Sequence, residues 1–306
     1  MNQSFQESSP HSGTCQSPYF VIRPHTGLLR INFHELWQYR ELFWFLVWRD
    51  IKVKYKQTAL GALWAILVPF LQMMVFTVIF GKIAKLPTDG LNPLIFYYAG
   101  LIPWTYFSTS LSFASNSLVG SKQLLTKIYF PRLIIPTSPC LAALVDFAIA
   151  FLILGVMMIW FAIPVDAAVL LLPLMMLIAF GTALGTGLFF SALNVQYRDI
   201  GYALPFVVQI WMYASVILPF SKIPASWGIW RYLYGLNPMG GVIEGFRWCL
   251  LHRQMVPEIP IGTSPVSAVV PPPIELIAIG SVVMLLILAA GLAYFRKMEE
   301  TFADIV

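Results

Sequence analysis

Six stretches of this chain, residues 60–81, 95–118, 133–161, 167–192, 203–221 and 274–294, run apolar for 19 to 29 residues each. Between them they hold only two charged residues, Asp146 and Glu275, although the chain carries 19 basic and 14 acidic residues. About 20 apolar residues make a helix long enough for a ~30 Å hydrocarbon core. In lipid, only helices and closed barrels satisfy their own backbone. Barrel strands alternate over about ten residues, which these runs do not. The chain is 58% hydrophobic and 11% charged, against roughly 25% charged in a soluble domain. The pattern predicts an all-α membrane protein with six transmembrane helices.

Several classes fall away. Cys15, Cys140 and Cys249 are scattered and odd in number, which excludes a disulfide-stapled secreted fold. A +5 charge on so apolar a chain leaves no broad basic face for nucleic acid. Residues 1–32 are polar, without the short apolar core and cleavage site of a signal peptide, and are expected to be a disordered cytoplasmic tail. With both termini inside, 13 Lys and Arg residues lie on the cytoplasmic side and 6 outside. That split follows the positive-inside rule. Such a topology requires that 224–252 not cross. Asn237-Pro238 and Gly240-Gly241 interrupt it, and the expectation is an outer re-entrant helix pair between helices five and six, its backbone buried in protein.

Residues 33–57 differ from the six apolar stretches. Phe33, Leu36, Trp37, Trp44, Val47, Trp48, Ile51 and Tyr55 fall near helical spacing, opposite a polar side of Glu35, Gln38, Glu41, Asp50, Lys52 and Lys56. An interfacial amphipathic helix fits that pattern. Residues 58–306 then form the transmembrane domain.

Catalytic chemistry has little to stand on. No G-x-x-x-x-G-K-[ST] loop, H-E-x-x-H, C-x-x-C or G-x-S-x-G occurs. Asp146 lies near mid-membrane, where a carboxylate faces the bundle interior; it either relays protons or makes a structural hydrogen bond. No second acid, His or Lys is expected at its depth to relay a proton. Ser108, Ser112, Ser115 and Asn116 form a hydroxyl-rich stripe on the second span. That stripe either lines a wet conduit or packs helices. Trp227, Trp230 and Tyr234 belong to a dense aromatic cluster, which serves either as an interfacial belt or as rings on which sugar faces stack.

Ordered motifs carry a resemblance. These are Arg49-Asp-Ile-Lys-Val-Lys-Tyr-Lys-Gln-Thr-Ala-Leu-Gly-Ala-Leu-Trp, Gly100-Leu-Ile-Pro-Trp-Thr-Tyr-Phe, Leu124-Leu-Thr-Lys-Ile-Tyr-Phe-Pro-Arg, Asn194-Val-Gln-Tyr-Arg-Asp and Phe295-Arg-Lys-Met-Glu-Glu-Thr-Phe-Ala-Asp. Together they resemble the permease subunit of type-2 ABC exporters of polysaccharide, the O-antigen export permease family. The resemblance implies a homodimer in the bacterial inner membrane, bound to two copies of a separate ATPase that supplies ATP and Mg sites. It implies a coupling helix over Ser121–Phe130, broken by Pro131, with Lys122, Lys127, Tyr129, Arg132, Arg198 and Asp199 facing the ATPase. The expected cargo is an undecaprenyl-linked polysaccharide; Arg49, Lys52 and Lys56 at the headgroup level either receive its pyrophosphate or serve topology and general attraction to anionic lipid. Lys54 stands in the same basic run. Trp227, Trp230 and Tyr234 are then expected at the outer gate. Export of another lipid or drug, or proton-coupled secondary transport, remain alternatives.

Overall fold

Helix α4 (Pro93–Gly120) is the element around which the others are arranged. Asn92 caps its start by accepting from the Leu94 N–H, with Pro93 in the first turn. Every residue from Ile95 to Trp104 is buried, as expected of a stretch that is apolar on all sides. The computed structural model describes residues 33–56, 63–86, 88, 90–127, 129–217, 234–253 and 271–299, and they are helical with short connections. The expected tail, 1–32, lies outside them.

Helices α6 (Ile134–Trp160) and α7 (Leu172–Gln196) pack on α4, and α10 (Ile274–Glu299) packs on α7. Helix α3 (Leu63–Phe76) runs into a π-helical turn, Thr77–Ile83, against the first half of α4. Helix α8 (Ile200–Met212) likewise ends in a π-turn, Tyr213–Ile217. Such turns are rare and recur at functional sites. Much of α8 stays uncovered: Tyr202, Phe206 and Ile210 are more than two-thirds exposed.

Among the described residues, five segments are long and apolar enough to cross a membrane: Ile66–Ile83, Ile134–Trp160, Ala167–Gln196, Ile200–Ile217 and Ile274–Glu299. They coincide with five of the six apolar windows. The remaining window lies in α4, whose 28 residues span about 42 Å. Its hydroxyls lower its hydropathy, and its neighbours shield it.

Helix α9 (Pro238–Leu251) is capped by Asn237 and largely buried. At about 21 Å it is too short to cross. It starts beside Trp211 and Ser215 and ends beside Asp166, in the α6–α7 connection. Gly240-Gly241 does not interrupt it, contrary to the sequence expectation. A Cβ on Gly241 would stand 2.8 Å from the Leu276 carbonyl oxygen, so this glycine admits α10 rather than breaking a helix.

At the opposite end, α1 (Phe33–Gln38), α2 (Arg40–Lys56) and α5 (Lys122–Lys127) gather around a second core. Leu46, Phe130, Leu133, Ile134, Val195 and Phe295 form it, with Leu36, Tyr39 and Met298 at its edge.

Gly181 and Gly185 face α10. A Cβ on Gly291 would come within 2.1 Å of the Gly185 carbonyl oxygen, whereas one on Gly155 would meet nothing. Overpacking of this kind costs about 1–3 kcal/mol. Gly291→Ala should therefore lower the thermal unfolding temperature in detergent by several degrees, with Gly155→Ala unchanged or slightly raised.

Candidate functional site

Helix α2 runs along the first turns of α6, and the contact is polar as well as apolar. Leu46 and Val47 are buried there. Ser138 donates to Asp50 Oδ2 at 2.9 Å, and Arg49 donates to Asp50 Oδ1 at 2.8 Å. Further along, Lys54 and Tyr55 both bond to the Asp146 carboxylate. Burial and the Asp146 charge push the Tyr55 phenol up. Asp146 therefore has a cation and a donor at its own depth, supplied by α2. This corrects the expectation that no Lys lies at this depth: α2, expected at the interface, reaches Asp146 along α6.

Between α2, α4 and α6 lies a cavity of about 400 Å³. Arg49, Lys54, Asp50 and Asp146 stand on its wall beside Phe113 and Thr109. Lys52 and Lys56, grouped with Arg49 in the sequence reading, do not line it. Lys52 lies over the Trp48 ring at 5.2 Å, and both lysines are exposed. Arg49, Lys52 and Lys56 sit at i, i+3 and i+7, so they share one helical face.

The α4–α6 connection forms the second feature. Lys122, Lys127 and Tyr129 are exposed, and a cleft of about 230 Å³ is lined by Leu125, Thr126, Lys127, Tyr129, Phe130 and Arg132. Arg132 donates to the Glu299 carbonyl at the end of α10. Burial, with Glu35 and Glu299 nearby, pushes the Tyr129 phenol up. The helix here ends at Lys127 rather than at Phe130. Phe130 is drawn off the helix into the second core, where it is 4% exposed. Arg198 and Asp199 form an exposed turn between α7 and α8, and no hydrogen bond or ion pair joins them to 122–132 among the described residues.

The serine stripe is largely satisfied within protein. Ser108 donates to the Thr105 carbonyl and Ser115 to the Ser112 carbonyl, while Ser112 is half-buried. Asn194 of α7 donates to the Ser115 carbonyl and to Asn116 Oδ1, both at 3.0 Å. Its own carbonyl accepts from Gly201 N–H at 3.1 Å. Ser115 is fully enclosed, so it lines no open path here and acts in the α4–α7–α8 contact.

Near the far end, the π-turn Tyr213–Ile217 is held by α9 and its cap. Trp211 donates to Asn237 Oδ1 at 2.9 Å, Asn237 donates to Ser215 Oγ at 2.7 Å, and Tyr234 donates to the Ser215 carbonyl at 3.4 Å. Arg247, fully buried, donates to the carbonyls of Val216 and Phe96, pairs with Glu244, and lies 4.0 Å over the Phe96 ring. Sequence reading missed Arg247; its helical spacing from Glu244 was the available signal. Asp166 binds Arg253 at the end of α9. The Ala167 N–H, Arg253 and His252 hold its carboxyl below the ordinary range. Of the expected gate residues, Tyr234 joins this network; Trp227 and Trp230 lie outside the described residues.

Residues 41–251 match the family described as ABC-2 type transporter. The chain belongs to that family. Among its relatives is the O-antigen export system permease protein RfbA of Myxococcus xanthus, 28% identical over 271 residues, covering 88% of this chain and 97% of that protein. The protein of the same name from Klebsiella pneumoniae is 26% identical over 262 residues, 84% of this chain and 92% of that one. The polysialic acid transport protein KpsM of Escherichia coli is 27% identical over 202 residues, 64% of this chain and 76% of that protein. The match to the ABC-2 family takes in α2, the 122–132 connection and α9 together.

Removing one partner of a buried ion pair costs about 3–5 kcal/mol, because the other charge is left uncompensated. Arg247→Met should therefore lower the unfolding temperature sharply, and adding Glu244→Gln should recover part of the loss. Equal stability of Arg247→Met and the wild type would contradict the interlock.

Proposed function

We propose that this chain is the membrane-spanning subunit of an ATP-driven exporter of lipid-linked polysaccharide. The observation that carries the reading is the combination of the ABC-2 match over 41–251 with similarity along nearly the whole length of a protein named as an O-antigen export permease. The chain itself is no enzyme in this reading: a separate ATPase binds ATP and Mg. Two copies of the permease assemble with two ATPase subunits in the bacterial inner membrane.

In this reading α4 is the sixth crossing, and α9 is the returning half of the outer re-entrant pair. Both termini are cytoplasmic, so α1, the start of α2, α5 and the end of α10 form the cytoplasmic layer, and the end of α2 follows α6 inward to Asp146. The exposed Lys122, Lys127 and Tyr129 then face the ATPase, with Arg198 and Asp199 on the adjoining turn. The cleft beside Phe130 and Arg132 supports this, because movement of the loop reaches α1, α2 and α10 through one core. The exposed basic face of Arg49, Lys52 and Lys56 meets the pyrophosphate of the lipid-linked glycan; each such cation attracts anionic groups by about 1 kcal/mol. Trp227 and Trp230 form the outer gate with Tyr234.

The test is made in cells and with purified complex. Without this chain, lipid-linked glycan should accumulate in the inner leaflet and surface glycan should vanish. Lys127→Glu or Tyr129→Ala should leave the permease folded but uncouple substrate from ATP turnover. Wild-type export and ATP turnover in both variants would remove 122–132 from coupling.

A further inference from the structure

The cavity between α2, α4 and α6 has a chemical character that the basic face beside it lacks. Its wall carries four formal charges, and they cancel. Arg49 is bound to Asp50 at 2.8 Å, and Lys54 is bound to Asp146. Both carboxylates are also engaged on each oxygen: Asp50 accepts from Arg49 and Ser138 on separate oxygens, and Asp146 accepts from Lys54 and Tyr55 on separate oxygens. Each cation keeps further N–H donors but stands against its own carboxylate, so an anion entering here gains little net attraction and lies beside that carboxylate. That costs like-charge repulsion in a poorly screened place. A cation meets two carboxylates whose oxygens are already engaged.

What remains available is neutral. The Phe113 ring is 55% exposed, although the Lys54 ammonium, itself paired with Asp146, lies over it at 5.7 Å from the centroid. The Thr109 hydroxyl, on the same helix face one turn earlier, lines the cavity and makes no hydrogen bond to the described residues. Apolar surface from Val53 and Ala142 completes the wall. An aromatic face, an unspent hydroxyl and a rim of charge-neutral ion pairs suit a ligand with an apolar face and many hydroxyls. The volume of about 400 Å³ lies in the range of small-molecule sites.

We propose that this cavity binds an uncharged sugar ring of the cargo, stacked on Phe113 and hydrogen-bonded to Thr109. Arg49 belongs both to the cavity wall and to the basic face, so the phosphate and the adjoining sugar of one lipid-linked glycan meet the protein on either side of it. The proposal rests on the export reading for the identity of the cargo. It adds that the permease itself selects against acidic sugars at this point.

The probes are farnesyl phosphate, farnesyl phosphoryl glucose and farnesyl phosphoryl glucuronate, titrated against the full chain in neutral-lipid nanodiscs. The glucose probe should bind about fivefold more tightly than farnesyl phosphate, the scale of one stacked ring. The glucuronate probe should show no such gain. Phe113→Ala and Thr109→Val should erase the gain from glucose while leaving farnesyl phosphate affinity unchanged, since neither residue lies on the basic face. Equal affinity for glucose-bearing and bare probes in the wild type would overturn the proposal. So would a glucose gain that survives both variants, or an equal gain from glucuronate. Arg49→Gln tests the phosphate contact separately: unchanged binding of all three probes would remove the phosphate role, and the cavity would still be judged on the glucose difference.

Discussion

A hydroxyl in hydrocarbon has nothing to bond to, and that constraint decides where α4 sits. The helix carries Thr105, Ser108, Thr109, Ser110, Ser112, Ser115, Asn116 and Ser117 in a chain otherwise selected for lipid. Its neighbours therefore wrap it, and the Thr105, Ser108, Ser115 and Ser117 hydroxyls turn onto carbonyls of the same helix. Once α4 is enclosed by α6 and α7, the positions of α10, α9 and α2 are set by packing against those three. The glycines of α7 and α10 then let their backbones touch, the usual means of helix association where hydrophobic burial gives no drive.

Two polar interlocks stand at opposite ends of this bundle. At one end Arg247 and Asn237 tie α9 to the π-turn of α8. At the other, Lys54, Tyr55 and Asp50 tie α2 to α6, while Leu46 and Phe130 tie α2 to the α4–α6 connection. A helix thus links the surface assigned to the ATPase with a carboxylate about 18 Å along α6 from its start. In the proposed exporter, this is a packed route from nucleotide-driven movement to the face where cargo arrives.

The helical membrane character was legible because charge is so nearly absent from six windows, and five of those windows coincide with segments able to cross. The sixth is less apolar for the reason that makes it central: its hydroxyls require protein, not lipid, around it. The partners of Asp146 were not legible, because they lie 91 and 92 residues away on a helix read as lying at the surface. The coupling helix was read too long, since its end is set by a tertiary pull on Phe130 rather than by Pro131 alone. Gly240-Gly241 was read as a break because close helix approach and helix interruption use the same residue. The motif-level resemblance implied a helix in the 122–132 connection with Lys122, Lys127, Tyr129 and Arg132 facing outward; the structure has a shorter helix there, exposes the first three, and turns Arg132 onto the end of α10.

The central claim is that this chain moves lipid-linked polysaccharide by virtue of an ATPase partner. Its most direct test is translocation in proteoliposomes holding the permease with its ATPase, scored by protection of the glycan from an external glycosidase. The account predicts translocation that requires ATP hydrolysis, is lost with the permease alone, and is unaffected by collapsing the proton gradient. Translocation by the permease alone, driven by a proton gradient without ATP, would contradict it.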